Sequence, residues 1–135
     1  MKQAQAKVRE FHETFDLVTS DTPGNLTDEV MHRRFKLIVE ELSEYVEAVM
    51  NRDIIGVADA LGDLIYVVLG SAVEHGIEIE PVFDEIHRSN MTKKGGHKNE
   101  FGKWVKPPGW QPPDIATVLA EQQRGVENYE QEQLG

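Results

Sequence analysis

From Asp53 to His75 the sequence contains no proline, and its apolar residues fall on nearly every side of a helical projection. That pattern belongs to a helix packed on several faces, not to one resting on a surface. Inside it, VADALGDLIYVV sets Asp59 and Asp63 one helical turn apart among apolar and small neighbours. An ionised carboxylate buried in such surroundings is costly unless it is paired, hydrogen-bonded or bound to a cation. The chain around this helix has to supply the compensating group.

The remaining sequence predicts further helices. Lys2 to about Val18 carries Val8, Phe11, Phe15 and Val18 at spacings of three and four, and TSDTPGN then breaks the pattern. Thr27 is placed to cap a long helix reaching about Met50, Gly76 to end the Asp53–His75 helix, and Pro81 to open a fourth helix reaching about Met91. Residues 92–112 form a glycine- and proline-rich loop too long for a mere connector. A last short helix is expected from Asp114 to about Gln123, followed by a polar tail from about residue 124. Alternating strand patterns are missing. The expectation is one all-α domain over residues 1–135, an antiparallel bundle resembling a four-helix bundle, with its core completed by homo-oligomerisation.

Composition narrows the chemistry. The 135 residues include no cysteine, so thiolate metal sites are excluded and any metal must be bound by oxygen or histidine. The five histidines show no paired helical spacing of a histidine metal site. The N-terminal segment lacks an apolar signal region and no uninterrupted apolar run is long enough to span a bilayer, so a cytoplasmic protein without a membrane partner is expected. A formal charge of -10 argues against a duplex nucleic-acid partner but leaves a nucleotide open, because a cation can bridge like charges. The charge is also uneven: six basic residues lie between Arg88 and Lys106 against the single acid Glu100.

Helical geometry, about 100° per residue, assigns faces. On the first long helix Phe35, Ile38, Leu42, Tyr45 and Val49 form an apolar seam, and beside it runs Leu37, Glu41, Glu44 and Ala48. On the second, Gly56, Asp59, Asp63, Tyr66 and Gly70 share one face. A short turn between the two helices apposes these acidic faces. Converging carboxylates without equal basic partners repel one another unless cations enter, and Mg²⁺ or Mn²⁺ suits an all-oxygen site that also binds phosphate. The competing reading is ordinary ion pairing of Asp59 and Asp63 with Arg33, Arg34, Lys36 or Arg52.

EELSE at Glu40–Glu44 followed by DALGDLIYVV at Asp59–Val68 resembles the all-α nucleoside triphosphate pyrophosphohydrolases. These comprise the MazG-like group, phosphoribosyl-ATP pyrophosphohydrolase and the dimeric dUTPases, marked by E-E-x-x-E on one helix and E-x-x-D on the next. The resemblance extends through VFDEIHRSNMTK and GKWVKPPGWQPPDI, from about Phe11 to about Ile115. It implies Mg²⁺-dependent cleavage of a nucleoside triphosphate between the α and β phosphates in a house-cleaning or nucleotide-pool role, by a homodimer or homotetramer. It also implies Glu41, Glu44 and Asp63 as metal ligands and Glu40 as a ligand or catalytic base. Asn90, Lys93 and Lys94 would be the phosphate-binding groups. The family pattern expects glutamate where Ala60 stands, and the neighbouring Asp59 is the expected substitute as a metal ligand. A dUTPase or dCTP-directed enzyme is the close alternative, and a noncatalytic acidic helical binding module is the alternative of another class.

Overall fold

The computed structural model describes every residue from Met1 to Gly135. Five helices and one minimal hairpin make an all-α protein: α1 Lys2–Thr14, α2 Asp28–Met50, α3 Ile54–His75, α4 Ile79–Met91, β1 His97–Lys98, β2 Trp104–Val105 and α5 Ile115–Leu134. They fall into two compact units, Met1–Ile77 and Glu78–Gly135.

In the first unit the caps follow the local sequence. The Thr27 side chain accepts from the Val30 N–H and the Asp53 side chain from the Gly56 N–H, each satisfying a donor that the helix start leaves free. α1 stops at Thr14, earlier than periodicity suggests, because Asp16 takes a left-handed backbone with φ 55° and turns the chain away. Gly76 closes α3 at φ 71°, with its N–H donating to the carbonyls of Ala72 and Val73.

α3 is the hub of this unit, lying against both α2 and α1. Gly56 brings α3 so near α2 that a Cβ added there would sit 3.2 Å from the Ala48 Cβ. Farther along, Arg34 of α2 reaches over Gly70 and donates to three groups of α3: the Val67 carbonyl (2.6 Å), Ser71 Oγ (3.1 Å) and Glu74 Oε2 (2.6 Å). His12 of α1 completes the knot. Its Nδ1 lies 3.0 Å from the Val8 carbonyl, which can only accept, and its Nε2 lies 3.1 Å from Glu74 Oε2. All three side chains are buried, so Glu74 joins three helices through a charge with partners on two of them. Burial lowers the Arg34 pKa from its ordinary value, and the adjacent Glu74 carboxylate opposes that shift.

Two sequence expectations change here. Asp59 and Asp63 are exposed, because the buried side of α3 is Ala60, Leu69, Gly70 and Val73. Phe35, Leu42 and Val49, expected as a core seam, are also exposed, since α2 turns its Arg34 and Ala48 side toward α3 instead. In addition, α3 is by length and composition apolar enough to cross a membrane, a property hidden from run length because Asp59 and Asp63 interrupt the apolar stretch.

In the second unit α5 runs to Leu134, beyond the point where a frayed tail was expected. The glutamates and glutamines of that segment are good helix formers, so its polarity did not argue against a helix. The 92–113 segment contains the antiparallel pairs His97–Val105 and Lys98–Trp104, strands too short for alternation to show in the sequence. It is tied back to α4: Ser89 Oγ donates to the Gln111 carbonyl (2.6 Å), and the Asp114 N–H donates to Glu85 Oε1 (2.9 Å). Arg88 hydrogen bonds, together with that N–H, hold the Glu85 carboxyl down at about 2.

Gly76→Ala is expected to cost about 1–3 kcal/mol. The substitution meets an unfavourable positive φ, and its Cβ would collide with the Thr22 backbone carbonyl. Urea unfolding measures this; a midpoint equal to wild type would contradict it.

Candidate functional site

Glu41 and Glu44 stand one turn apart on α2, and Asp63 faces them from α3. One carboxylate oxygen from each lies within 4.8 Å of the others. Their surroundings differ: Glu41 is half-buried, whereas Glu44 and Asp63 are exposed. Glu41 Oε2 is shielded from solvent and has no hydrogen-bond partner.

No salt bridge engages Glu41, Glu44, Asp59 or Asp63; the ion pairs of the chain lie elsewhere. In particular Arg34, one of the expected partners for the aspartates, is committed to Glu74. The acidic group is therefore uncompensated by the protein's own cations. The consequence is visible on Glu41, whose pKa is raised first by burial and then by the charges of Glu44 and Asp63, with a smaller contribution from Glu40. An unpartnered buried oxygen beside two further carboxylates fits a hard divalent cation, which binds through oxygen and replaces the missing positive charge.

Of the residues singled out in the sequence, Glu41, Glu44 and Asp63 meet. Asp59 lies outside the group despite sharing a helix face with Asp63, and the next position, Ala60, is the one turned into the helix interface. Glu40 is exposed and likewise outside the group, though near enough to act on Glu41. Asn90, Lys93 and Lys94 belong to the second unit. There Lys93 Nζ donates to Asn90 Oδ1 at 2.8 Å, and the Lys93 carbonyl accepts from Trp104 Nε1 at 2.7 Å. Trp110 is half-buried with Lys106 Nζ 3.8 Å from its ring centroid, a cation–π contact inside the same loop.

A family model described as phosphoribosyl-ATP pyrophosphohydrolase matches residues 8–90, more than half of the chain. The chain belongs to that family. It is thereby a MazG-like nucleotide pyrophosphohydrolase, a hydrolase acting on phosphoric anhydride bonds of nucleotide substrates. This sets aside the noncatalytic binding module. Comparison with curated proteins finds no match. Pyrophosphohydrolases of this family are typically metal-dependent, in keeping with the acidic group on α2 and α3.

Sequence reasoning passed over His12, Arg34, Gly70 and Glu74 as a set. The available signal was a glutamate and a glycine inside the most apolar helix, with an arginine seven residues before Glu41.

The raised Glu41 pKa gives a signed expectation. The folded metal-free protein holds a proton on Glu41 that the unfolded chain releases at lower pH, so stability falls as pH rises through that interval and the penalty is complete above it. In EDTA at neutral pH, Glu41→Gln should melt higher than wild type, and the difference should shrink on acidification. A variant that melts lower at neutral pH would contradict this.

Proposed function

We propose that this pyrophosphohydrolase cleaves nucleoside triphosphates between the α and β phosphates, releasing a monophosphate and pyrophosphate, with Mg²⁺ as its cation and Mn²⁺ able to replace it. The observation that carries the reading is the group of Glu41, Glu44 and Asp63, close together and without a protein cation. Glu41, Glu44 and Asp63 are the proposed ligands. Glu40 is the proposed ligand or base for the attacking water, its charge near enough to act on Glu41. Asp59, standing next to the Ala60 position where the family carries glutamate, is proposed as a further ligand on α3. When bound, a divalent cation would polarise the phosphate and lower the pKa of a water. Asn90, Lys93 and Lys94 are proposed to neutralise and orient phosphate oxygens, tasks suited to an amide and two ammonium groups.

Substrates within this reading are canonical or modified (d)NTPs of a cytoplasmic pool, with a dUTPase- or dCTP-directed specificity as the narrower version. Membership of the phosphoribosyl-ATP pyrophosphohydrolase family makes phosphoribosyl-ATP a second substrate to consider. A panel of these compounds with Mg²⁺, resolved by product chromatography, separates the versions by kcat/KM. Monophosphate-type product and pyrophosphate are expected together. Glu41→Gln and Asp63→Asn should each lower kcat/KM by about 100-fold or more, the scale of losing a charged group that acts on the transition state. Release of orthophosphate alone would refute the bond assignment.

We also propose a homodimer or homotetramer. Val39, Leu42 and Val46 on α2 and Leu61, Ile65 and Val68 on α3 are exposed along helical stripes, more apolar surface than isolated residues of a monomer present. Sedimentation should give at least twice the 15.3 kDa chain mass, and Leu42→Asp with Ile65→Asp should drive it toward the single-chain value. A wild-type protein sedimenting as a 15.3 kDa species at micromolar concentration would exclude this.

A further inference from the structure

Three contacts between α2 and α3 follow one spacing. Arg34, Glu41 and Ala48 succeed one another at intervals of seven on α2, and Gly70, Asp63 and Gly56 do so in the opposite order on α3. Seven residues make two helical turns, so each set lies on one face, and an antiparallel pair presents them as three successive layers. The outer layers are close approaches, Ala48 on Gly56 and Arg34 on Gly70, and the middle layer is the carboxylate pair Glu41 and Asp63.

The outer layers differ in what they can hold. Ala48 against Gly56 fixes distance, but smooth small residues permit sliding and rotation. Arg34 fixes register, because its planar guanidinium is bound at once to the Val67 carbonyl, Ser71 Oγ and Glu74 Oε2, which succeed one another along α3. Glu74 is in turn held by His12. Gly70 leaves the room for this: a Cβ there would lie 2.5 Å from Arg34 Nη2 and 3.2 Å from His12 Cε1. With three anchored bonds, Arg34 cannot swing aside without losing them. The middle layer has no attraction of its own, since its carboxylates repel.

We propose that Arg34, seated on Gly70, is a positioning residue that sets the axial register of α2 on α3 and so brings Glu41 and Glu44 within reach of Asp63. The proposal builds on the metal-site reading above. It predicts that register, and not folding alone, governs cation affinity.

The chain has no cysteine, so spin labels can be introduced at Ser43→Cys and Gly62→Cys, both exposed, one on each helix. Double electron–electron resonance on the metal-free protein then reads helix register, and Mn²⁺ titration of the unlabelled protein reads affinity. Gly70→Ala and Arg34→Lys should each shift or broaden the label distance and weaken Mn²⁺ binding by about tenfold or more, the range for groups that orient metal ligands. In the unlabelled protein Gly62→Ala, at a glycine with nothing within 4 Å, should leave Mn²⁺ affinity unchanged. Gly76→Ala should lower stability while leaving Mn²⁺ affinity within about twofold, since the atoms nearest its Cβ belong to Thr22 and Ser20 and not to the clamp, and a purely structural loss does not select the carboxylates.

Unchanged label distances and Mn²⁺ affinity in folded Gly70→Ala and Arg34→Lys would overturn the proposal. So would Gly76→Ala weakening Mn²⁺ as much as they do. If wild type takes up no Mn²⁺ yet both clamp variants shift the distance, the register role stands and the metal reading falls.

Discussion

Repulsion among Glu41, Glu44 and Asp63 is the constraint around which the first unit is built. Three carboxylates within 4.8 Å do not hold two helices together, so the attraction has to come from elsewhere on the same interface. It comes from either side along the helix pair: a small-residue contact at Ala48 and Gly56 near the connecting turn, and the polar clamp of Arg34 toward the far end. The stabilising layers flank the destabilised one. A cation bound between the carboxylates would offset the repulsion of the middle layer.

Two kinds of buried charge are thereby separated. Glu74 is buried with Arg34 and His12 on hand, and its role is to join helices. Glu41 is half-buried with an oxygen that no protein group meets, beside further carboxylates. Removing a partner from the first arrangement leaves a charge stranded in the interior, a strongly destabilising event. The second arrangement carries its strain in the native protein, the pattern expected of a binding site rather than of a scaffold.

Much of this was legible in the sequence. Helical periodicity, Thr27, Asp53 and Gly76 as caps, and the convergence of Glu41, Glu44 and Asp63 all follow from spacing and short-range chemistry. Asp59 shares a helix face with Asp63 yet stands apart from the three-carboxylate group, because a helix face spans a wide arc, and membership of that arc does not decide which side chain reaches the neighbouring helix. The exposure of Phe35, Leu42 and Val49 was hidden for a related reason. Periodicity marks a surface as apolar, whether it is covered by the same chain or by another. The Arg34–Glu74–His12 knot depends on contacts between residues dozens of positions apart, which no local pattern encodes. The hairpin of two-residue strands and the full length of α5 lay beyond composition and alternation for the reasons given with the fold.

Both tryptophans of the chain, Trp104 and Trp110, reside in the loop between α4 and α5. One indole is tethered to the Lys93 carbonyl and the other lies under the Lys106 ammonium. Ultraviolet emission excited at the red edge therefore originates wholly in that loop. Lys93 lies in the same basic segment, so the natural fluorescence of this chain is a built-in optical reporter on that segment, needing no dye.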